Sequence, residues 1–251
     1  NLYTENLVKL LDGRVGIKGE EPDQWHYSIA RAMQIVFEEI AIHMLLNLYE
    51  RTKLKNVVLG GGSFMNSVFN GKVIKNTPFE NVYISHSPSD VGNSIGAALY
   101  VAHNLKNEDR DTTFNSSYLG PSFSDEEIKK TLERRKIIYK KVENIPKTVA
   151  DILSRGEIIA RFDGRMEFGE RALGNRSILA DPRAKNIKDK INSIIKYRES
   201  YRPFAPVVTQ EKVCNYFEVS ENFTCNYMEK VVQIKKDFHN ELPAVTHIDG
   251  S

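Results

Sequence analysis

The chain has only two cysteines, Cys214 and Cys225, in 251 residues. They fit neither a disulfide framework nor a zinc-ligand pattern, which points to a reducing compartment, the cytoplasm. No apolar run approaches the ~20 residues that a membrane span needs. An excess of one charge is also missing: 35 lysines and arginines face 33 aspartates and glutamates, a net charge of +2. Dedicated nucleic-acid binders usually show a strong basic excess, so no nucleic-acid partner is expected. The six histidines show no His-x-x-x-His or His-Glu-x-x-His spacing. His43, beside Met44, reads as packing, and His86 and His247 fall in loops. The chain opens on Asn1 rather than Met and has no signal-peptide layout; it stops at Thr246–Ser251 without a helix end. It reads as a piece cut from a longer protein. Hydrophobic residues at 41% and charged residues at 27% are ordinary for a globular protein and exclude disordered and fibrous classes.

Residues 24–50 carry Trp25, Ile29, Met33, Val36, Ile40, Met44 and Leu48 at steps of three and four, one face of a helix about 40 Å long. Val57-Val58-Leu59 then runs into Gly60-Gly61-Gly62-Ser63, a buried strand entering a tight loop, with a helix from Phe64 to about Lys75. Val82-Tyr83-Ile84 is a second strand, followed by the loop at 85–90 and a helix over 92–105. Two consecutive strand–loop–helix units imply an α/β layer with ligands at the carboxyl ends of the strands. Polar residues 106–123 read as a linker between a domain over 1–105 and a mixed α+β domain over 124–251. In the latter, Ser124-Asp125-Glu126-Glu127 is a capping box opening a helix. Strands are expected at 137–139, 158–162, 205–209 and 231–234, with helices over 146–155 and 186–196. Ile187, Ile191, Ile194 and Ile195 share one face of the last.

The densest chemistry lies between Arg161 and Arg202, with eleven basic and six acidic residues. It contains Gly164-Arg165-Met166-Glu167-Phe168-Gly169-Glu170-Arg171-Ala172-Leu173-Gly174-Asn175-Arg176-Ser177, then Asp181-Pro182-Arg183, Lys196, Arg198 and Arg202. Arginine matches phosphate oxygens with two parallel hydrogen bonds, and glycines let backbone N–H groups approach an anion. Capture of a multiply charged phosphate ligand is one reading; a solvated loop of ordinary ion pairs is the other. Met166, Phe168 and Leu173 interrupt the loop and favour a partly buried site. The glycine triplet with Asn66 is either a nucleotide cradle or a tight turn; it matches neither a P-loop nor Gly-x-Gly-x-x-Gly. Asp90, ahead of a helix, is either its N-cap or a metal or nucleotide contact. Its loop is expected beside the glycine loop at one sheet edge.

Two blocks together resemble the O-carbamoyltransferase family of nodulation-factor and antibiotic-tailoring enzymes. One is Leu59-Gly60-Gly61-Gly62-Ser63-Phe64-Met65-Asn66 with Ser89-Asp90-Val91-Gly92. The other runs from Gly164 through Asp181-Pro182-Arg183 to Arg198-Glu199 and Arg202-Pro203-Phe204-Ala205-Pro206. Thr246–Ser251 resembles the family too. The resemblance implies part of a sugar-kinase/actin-like transfer domain followed by a YrdC-like domain. The YrdC-like domain makes carbamoyl-adenylate from ATP and carbamoyl phosphate; the other domain passes the carbamoyl group to a hydroxyl of a small-molecule acceptor. By position, Gly60, Gly61, Gly62 and Asn66 would contact nucleotide, and Asp90 would bind a divalent metal such as iron. Arg165, Arg171, Asn175, Arg176, Ser177, Lys196, Arg198 and Arg202 would form the carbamoyl phosphate and ATP pocket. The family's paired metal-binding histidines belong to a part this chain lacks. Glu170 stands where many members have proline, and its carboxylate is expected to pair with Arg171. An apolar sheet face left without its partner would favour a homodimer. Apart from the resemblance, the glycine loop also suits a kinase-like nucleotide-binding module without transferase activity. RNA binding through the basic window ranks below both.

Overall fold

The computed structural model describes residues 4–12, 14, 20–110 and 116–251. Residues 111–115 of the expected linker lie outside the described residues. The chain divides into two compact units, Asn1–Lys53 and Leu54–Ser251.

The first unit holds α1 (Glu5–Leu10) and α2 (Gln24–Thr52). Asp23 opens α2 as a capping box: its carboxylate accepts the N–H groups of Trp25 and His26, and His26 Nδ1 faces the Asp23 N–H. Lys53 closes it in a left-handed turn. The helix read from the three-and-four spacing is present, but among its described residues only Leu45 is buried. Met33 is 69% and Met44 66% exposed, so the apolar face has no second layer within its own unit.

The second unit begins with β1 (Asn56–Leu59), α3 (Ser67–Asn70), α4 (Val73–Asn76), β2 (Asn81–Ile84) and α5 (Asn93–Tyr100), the last continued by a π-helical turn, Val101–Leu105. β1 and β2 pair in parallel, Leu59 opposite Ile84, so both following loops leave the same edge. Val57, Leu59 and Ile84 point into the core; Val58 and Tyr83 are exposed. The expected helix over 64–75 is broken. Asn66 caps α3 by accepting the Phe69 N–H at 3.1 Å, and Gly71 lets the end of α3 press against the Val231 carbonyl, where a Cβ would collide. Phe69 and Val73 from the two short helices are wholly buried. Asn70 Nδ2 donates at 2.8 Å both to the Phe64 carbonyl and to the Glu229 carbonyl, 159 residues away.

Next come α6 (Asp125–Arg134), with the expected capping box between Ser124 and Glu127, and α7 (Ile145–Ser154), with Asn144 as its cap. β3 (Ile159–Phe162) pairs antiparallel with β4 (Arg176–Leu179). β4 was not expected: its residues lie inside the basic window, where charge hides the alternation. α8 (Ile187–Lys190) runs on as a π-helical turn, Ile191–Ile195. The wider turn rotates the stripe, so Ile187 and Ile191 are buried with Ala244 while Ile194 and Ile195 are exposed. α9 (Val213–Tyr216) leads to a core of Val213, Phe217, Ile234 and Val245.

Three expected strands fail. Residues 137–139 and 205–209 form no ladder, with Ile138 fully exposed; 231–234 contribute only the Phe217–Ile234 bridge. β-rich composition without a neighbouring strand to pair with does not make a sheet. The architecture is mixed α/β. Among the described residues no helix is long and apolar enough to cross a membrane.

Candidate functional site

Three segments of the second unit converge at one place. The first is the glycine loop after β1. Gly61, at φ +111°, donates its N–H to the Pro88 carbonyl at 2.6 Å, which fastens this loop to the one after β2. The expected neighbourhood of the two loops is therefore real, and its cause is the parallel pairing of β1 with β2. A Cβ on Gly60, Gly61 or Gly62 would meet nothing within 4 Å, so the loop backbone faces open space. The Asn66 side-chain oxygen is engaged as the cap of α3.

The second segment is 85–90. Ser87 is buried, and its hydroxyl lies 2.9 Å from His86 Nδ1. Asp90 begins a 3₁₀ turn, Asp90–Gly92, and is exposed; no side chain caps that turn or α5, so the capping role considered for Asp90 is not realised.

The third segment is the basic loop. Gly169, at φ +131°, packs so closely on the His86 carbonyl and Ser87 hydroxyl that no side chain fits. The next residue, Glu170, accepts a hydrogen bond from Ser89 Oγ. Arg171 Nη2 reaches the Met65 carbonyl at 3.4 Å. Glu170 therefore does not pair with Arg171 as its sequence position suggests; the chain turn at Gly169 aims its carboxylate at Ser89. Parts of the three segments, with Tyr227, Met228 and Glu229, line a small cavity of about 20 Å³, room for about one water; Gly60–Gly62 and Asp90 lie outside its lining. His86 meets Phe168 and Tyr227 edge-on, at 6.2 and 5.5 Å between ring centres.

The rest of the basic loop is built around Glu167, which is 8% exposed. Its Oε1 accepts the N–H groups of Leu173 at 2.9 Å, Asn175 at 2.7 Å and Arg176 at 3.4 Å. Burial alone would raise this carboxyl, but the backbone donors together outweigh it and hold it below the ordinary 4.5. Asn175 Nδ2 donates to the Arg165 carbonyl, and the Gly174 N–H to Ser177 Oγ. Arg176 gives Nη1 to the Asp163 and Asn175 carbonyls and Nη2 to the Gly164 carbonyl, with its guanidinium 3.6 Å from the Phe162 ring centre. Arg165 donates to the Gly120 and Leu119 carbonyls. Residues 117–121, within the expected linker, are thus clasped to the loop; the Gly120 N–H to Met166 carbonyl bond at 2.9 Å adds to this.

Arg198 and Arg202 gather elsewhere, around Asn192, which is 1% exposed. Arg198 Nε donates to Asn192 Oδ1 at 2.7 Å and stacks on Phe204; Asn192 Nδ2 holds the Arg202 carbonyl; Arg202 pairs with Glu199. Lys196 is exposed at the end of the π-helical turn. No hydrogen bond or ion pair among the described residues joins this group to the Glu167 loop. Arg183 forms a fork on Asp181, and that hydrogen-bonded partner lowers the Asp181 carboxyl. Sequence reasoning assigns no role to Glu167 or Tyr227, places His86 only in a loop, and expects Glu170 to pair with Arg171. The glycines at 164, 169 and 174 were the only signal that a backbone-lined site surrounds Glu167.

Among the described residues no three His, Cys, Asp or Glu side chains are placed to hold a metal ion.

Residues 7–99 match the family model described as carbamoyltransferase N-terminus, and residues 150–251 the one described as carbamoyltransferase C-terminus. An uncharacterized protein of Synechocystis is 37% identical over 91% of this chain and 41% of its own length. The nodulation protein NolNO of Sinorhizobium fredii is 35% identical over 93% of this chain and 35% of its own length. The nodulation protein NolO of Bradyrhizobium diazoefficiens is 34% identical over 93% and 43%. The chain spans about two fifths of the length of the curated relatives it matches.

Proposed function

Because the chain belongs to the carbamoyltransferase family, we propose that it is the part of an ATP-dependent O-carbamoyltransferase in which an activated carbamoyl group meets its acceptor. Water splits carbamoyl phosphate to carbamate and phosphate; a carbamate oxygen attacks the ATP α-phosphorus and displaces pyrophosphate, giving carbamoyl-adenylate. A hydroxyl oxygen of a small-molecule acceptor then bonds to the carbamoyl carbon, losing its proton, and AMP leaves. The observation that carries the reading is that hydrogen bonds tie the three segments together: Gly61 to Pro88, Ser89 to Glu170 and Arg171 to Met65.

Each part supplies a distinct physical element. With the Gly61 N–H taken by the Pro88 carbonyl, the open backbone at Gly60 and Gly62 offers its N–H groups to a nucleotide without side-chain hindrance. Among the arginines between Arg161 and Arg202, Arg171 is the guanidinium least engaged by protein, with one long bond, and is therefore the one of that window most able to turn to a phosphate. Arg165, Asn175, Arg176 and Ser177 shape the anion-facing loop while retaining unused donors. A fixed cationic donor facing developing charge is worth ~3–4 kcal/mol of barrier. Lys196, Arg198 and Arg202 belong to the carbamoyl phosphate side of the same reading, and Asp90 to a metal completed by residues outside this set. A transfer domain over 1–105 of the sugar-kinase/actin type, a YrdC-like domain over 124–251 and a cytoplasmic setting belong to it as well; two free cysteines suit that setting.

The test is calorimetric titration of ATP, with and without carbamoyl phosphate, on the wild type and on Arg171→Ala. Coupled binding that the substitution abolishes supports the reading. ATP binding indifferent both to carbamoyl phosphate and to the substitution would replace it with a nucleotide-binding module.

A further inference from the structure

One stretch of the second unit carries charge and apolar surface that carbamoyl transfer does not use. Residues 129–141 hold seven lysines and arginines against one acid, Glu133, in a chain whose whole net charge is +2. They lie between the two segments that match the family models. All seven basic residues are exposed. Glu133 is already engaged: its Oε1 accepts the Tyr139 hydroxyl at 3.4 Å and lies 3.8 Å from Lys129 Nζ. Arg134, Arg135, Lys136, Lys140 and Lys141 make no ion pair among the described residues. Cations in the last turn of α6 complement the partial negative charge at its carboxyl end. That accounts for Arg134, but Lys136, Lys140 and Lys141 lie beyond the helix.

The chain leaves α6 through Lys136 in a left-handed turn, φ +55°. The Lys136 N–H donates to the Glu133 carbonyl at 3.0 Å and the Ile137 N–H to the Leu132 carbonyl at 2.9 Å. Past this turn Ile138 is fully exposed, and Ile137 and Tyr139 are about half exposed. An apolar tip thus stands between Arg134-Arg135-Lys136 on one side and Lys140-Lys141 on the other.

We propose that residues 134–141 dock this protein on an anionic lipid surface. Such docking needs no spanning helix. Basic side chains meet the lipid phosphates, and a few apolar side chains enter the boundary between headgroups and acyl chains. Lysine and arginine stems lie along apolar surface while their charges stay among the headgroups. Charge alone would suit RNA equally, and the apolar tip decides between them. Ile137 and Ile138 give a base no aromatic plane to stack on. At a bilayer their burial adds to the electrostatic attraction. A single short segment makes the contact weak and reversible.

The test is co-sedimentation of the 251-residue chain with vesicles of phosphatidylcholine alone, or with about one third phosphatidylglycerol. The chain should pellet with the anionic vesicles, stay in solution with the neutral ones, and be released by high salt. Lys140→Glu combined with Lys141→Glu should lower the partition coefficient at least about tenfold. Ile138→Ser leaves the charge untouched and should lower it about tenfold, the scale of one buried aliphatic side chain. Both changes fall on exposed side chains away from the proposed site, so the melting temperature and the coupling of ATP to carbamoyl phosphate should match the wild type. Failure to pellet with anionic vesicles overturns the proposal, as does pelleting that Ile138→Ser leaves unchanged. Polyuridylate is the rival probe. Tight binding to it that the charge reversal abolishes and Ile138→Ser does not, without retention on vesicles, overturns the lipid surface in favour of RNA.

Discussion

Glu167 Oε1 lies 2.7 Å from the Asn175 backbone nitrogen, and around this bond a loop with little regular structure keeps its shape. The carboxylate does for residues 173–176 what a bound anion does in a nest of backbone N–H groups: it gathers donors that the glycine turns point inward.

Glu167→Gln should therefore lower stability at pH 7 by about 2 kcal/mol, the scale of hydrogen bonds to a charged group. The folded carboxyl sits below its ordinary 4.5. Its contribution is therefore complete above that value and is lost as pH falls through the lower folded value. Urea midpoints measured from pH 7 downward should fall in the wild type below about pH 4.5 and fall less in the variant. Parallel curves would mean the carboxylate carries no such stabilisation.

Arg176 and Arg171 should separate under the same substitution. Arg176→Ala removes three carbonyl contacts and the stacking on Phe162, and a loss of about 2 kcal/mol is expected by chemical denaturation. Arg171→Ala removes one long bond, so stability should change by less than about 0.5 kcal/mol while coupled ligand binding is lost. Equal destabilisation by both would deny Arg171 its free guanidinium.

The glycines make a similar contrast. Gly62→Ala meets no atom within 4 Å and should leave the melting temperature unchanged while weakening ATP binding. Gly169→Ala combines φ +131° with a collision at the His86 carbonyl and should cost about 2–3 kcal/mol in a denaturation curve. If Gly62→Ala left ATP affinity intact, the loop would be a turn and nothing more.

Cys225 should be inert. Burial first, then the neighbouring Glu229 carboxylate, pushes its thiol up to about 11. In native protein at pH 8, iodoacetamide should leave Cys225 unmodified by mass spectrometry, and unfolding should release it. Fast native labelling would mean the thiol is neither enclosed nor held protonated.

Self-association should follow from the bare side of the β1–β2 sheet, where Val58 is 73% exposed. Parallel strands are ordinarily covered on both faces. Light scattering should detect a dimer at high concentration, and Val58→Lys should shift it toward monomer. A wild type that stays monomeric would remove the homodimer from the proposed partners.

The sequence disclosed what short-range periodicity and punctuation control. The steps of three and four from Trp25 to Leu48 make α2, the Ser124–Glu127 spacing makes a capping box, and glycines after an apolar triplet end β1. Proximity of the two loops followed from consecutive strand–loop–helix units. What stayed hidden depends on distant partners. Arg176-Ser177-Ile178-Leu179 is a strand only because residues 159–162 lie beside it, and Ile137–Tyr139 is not one because nothing does. Arginine content suggested anion capture, yet composition cannot tell a guanidinium holding backbone carbonyls, as Arg165 and Arg176 do, from one left to a ligand. The direction of Glu170 was set by a glycine turn, not by its neighbour in sequence.

The two hydrogen bonds that Asn70 donates, to the Phe64 and Glu229 carbonyls, have a consequence in time. A ribosome adding ~5–20 residues per second needs roughly 10–30 s to make the 159 residues between Asn70 and Glu229. Through that interval the Asn70 amide and the surface beside Gly71 wait without their final partner. The glycine-loop end of the site is thus completed late in synthesis, and a chain released before residue 229 would carry β1 and β2 but an open-sided cavity.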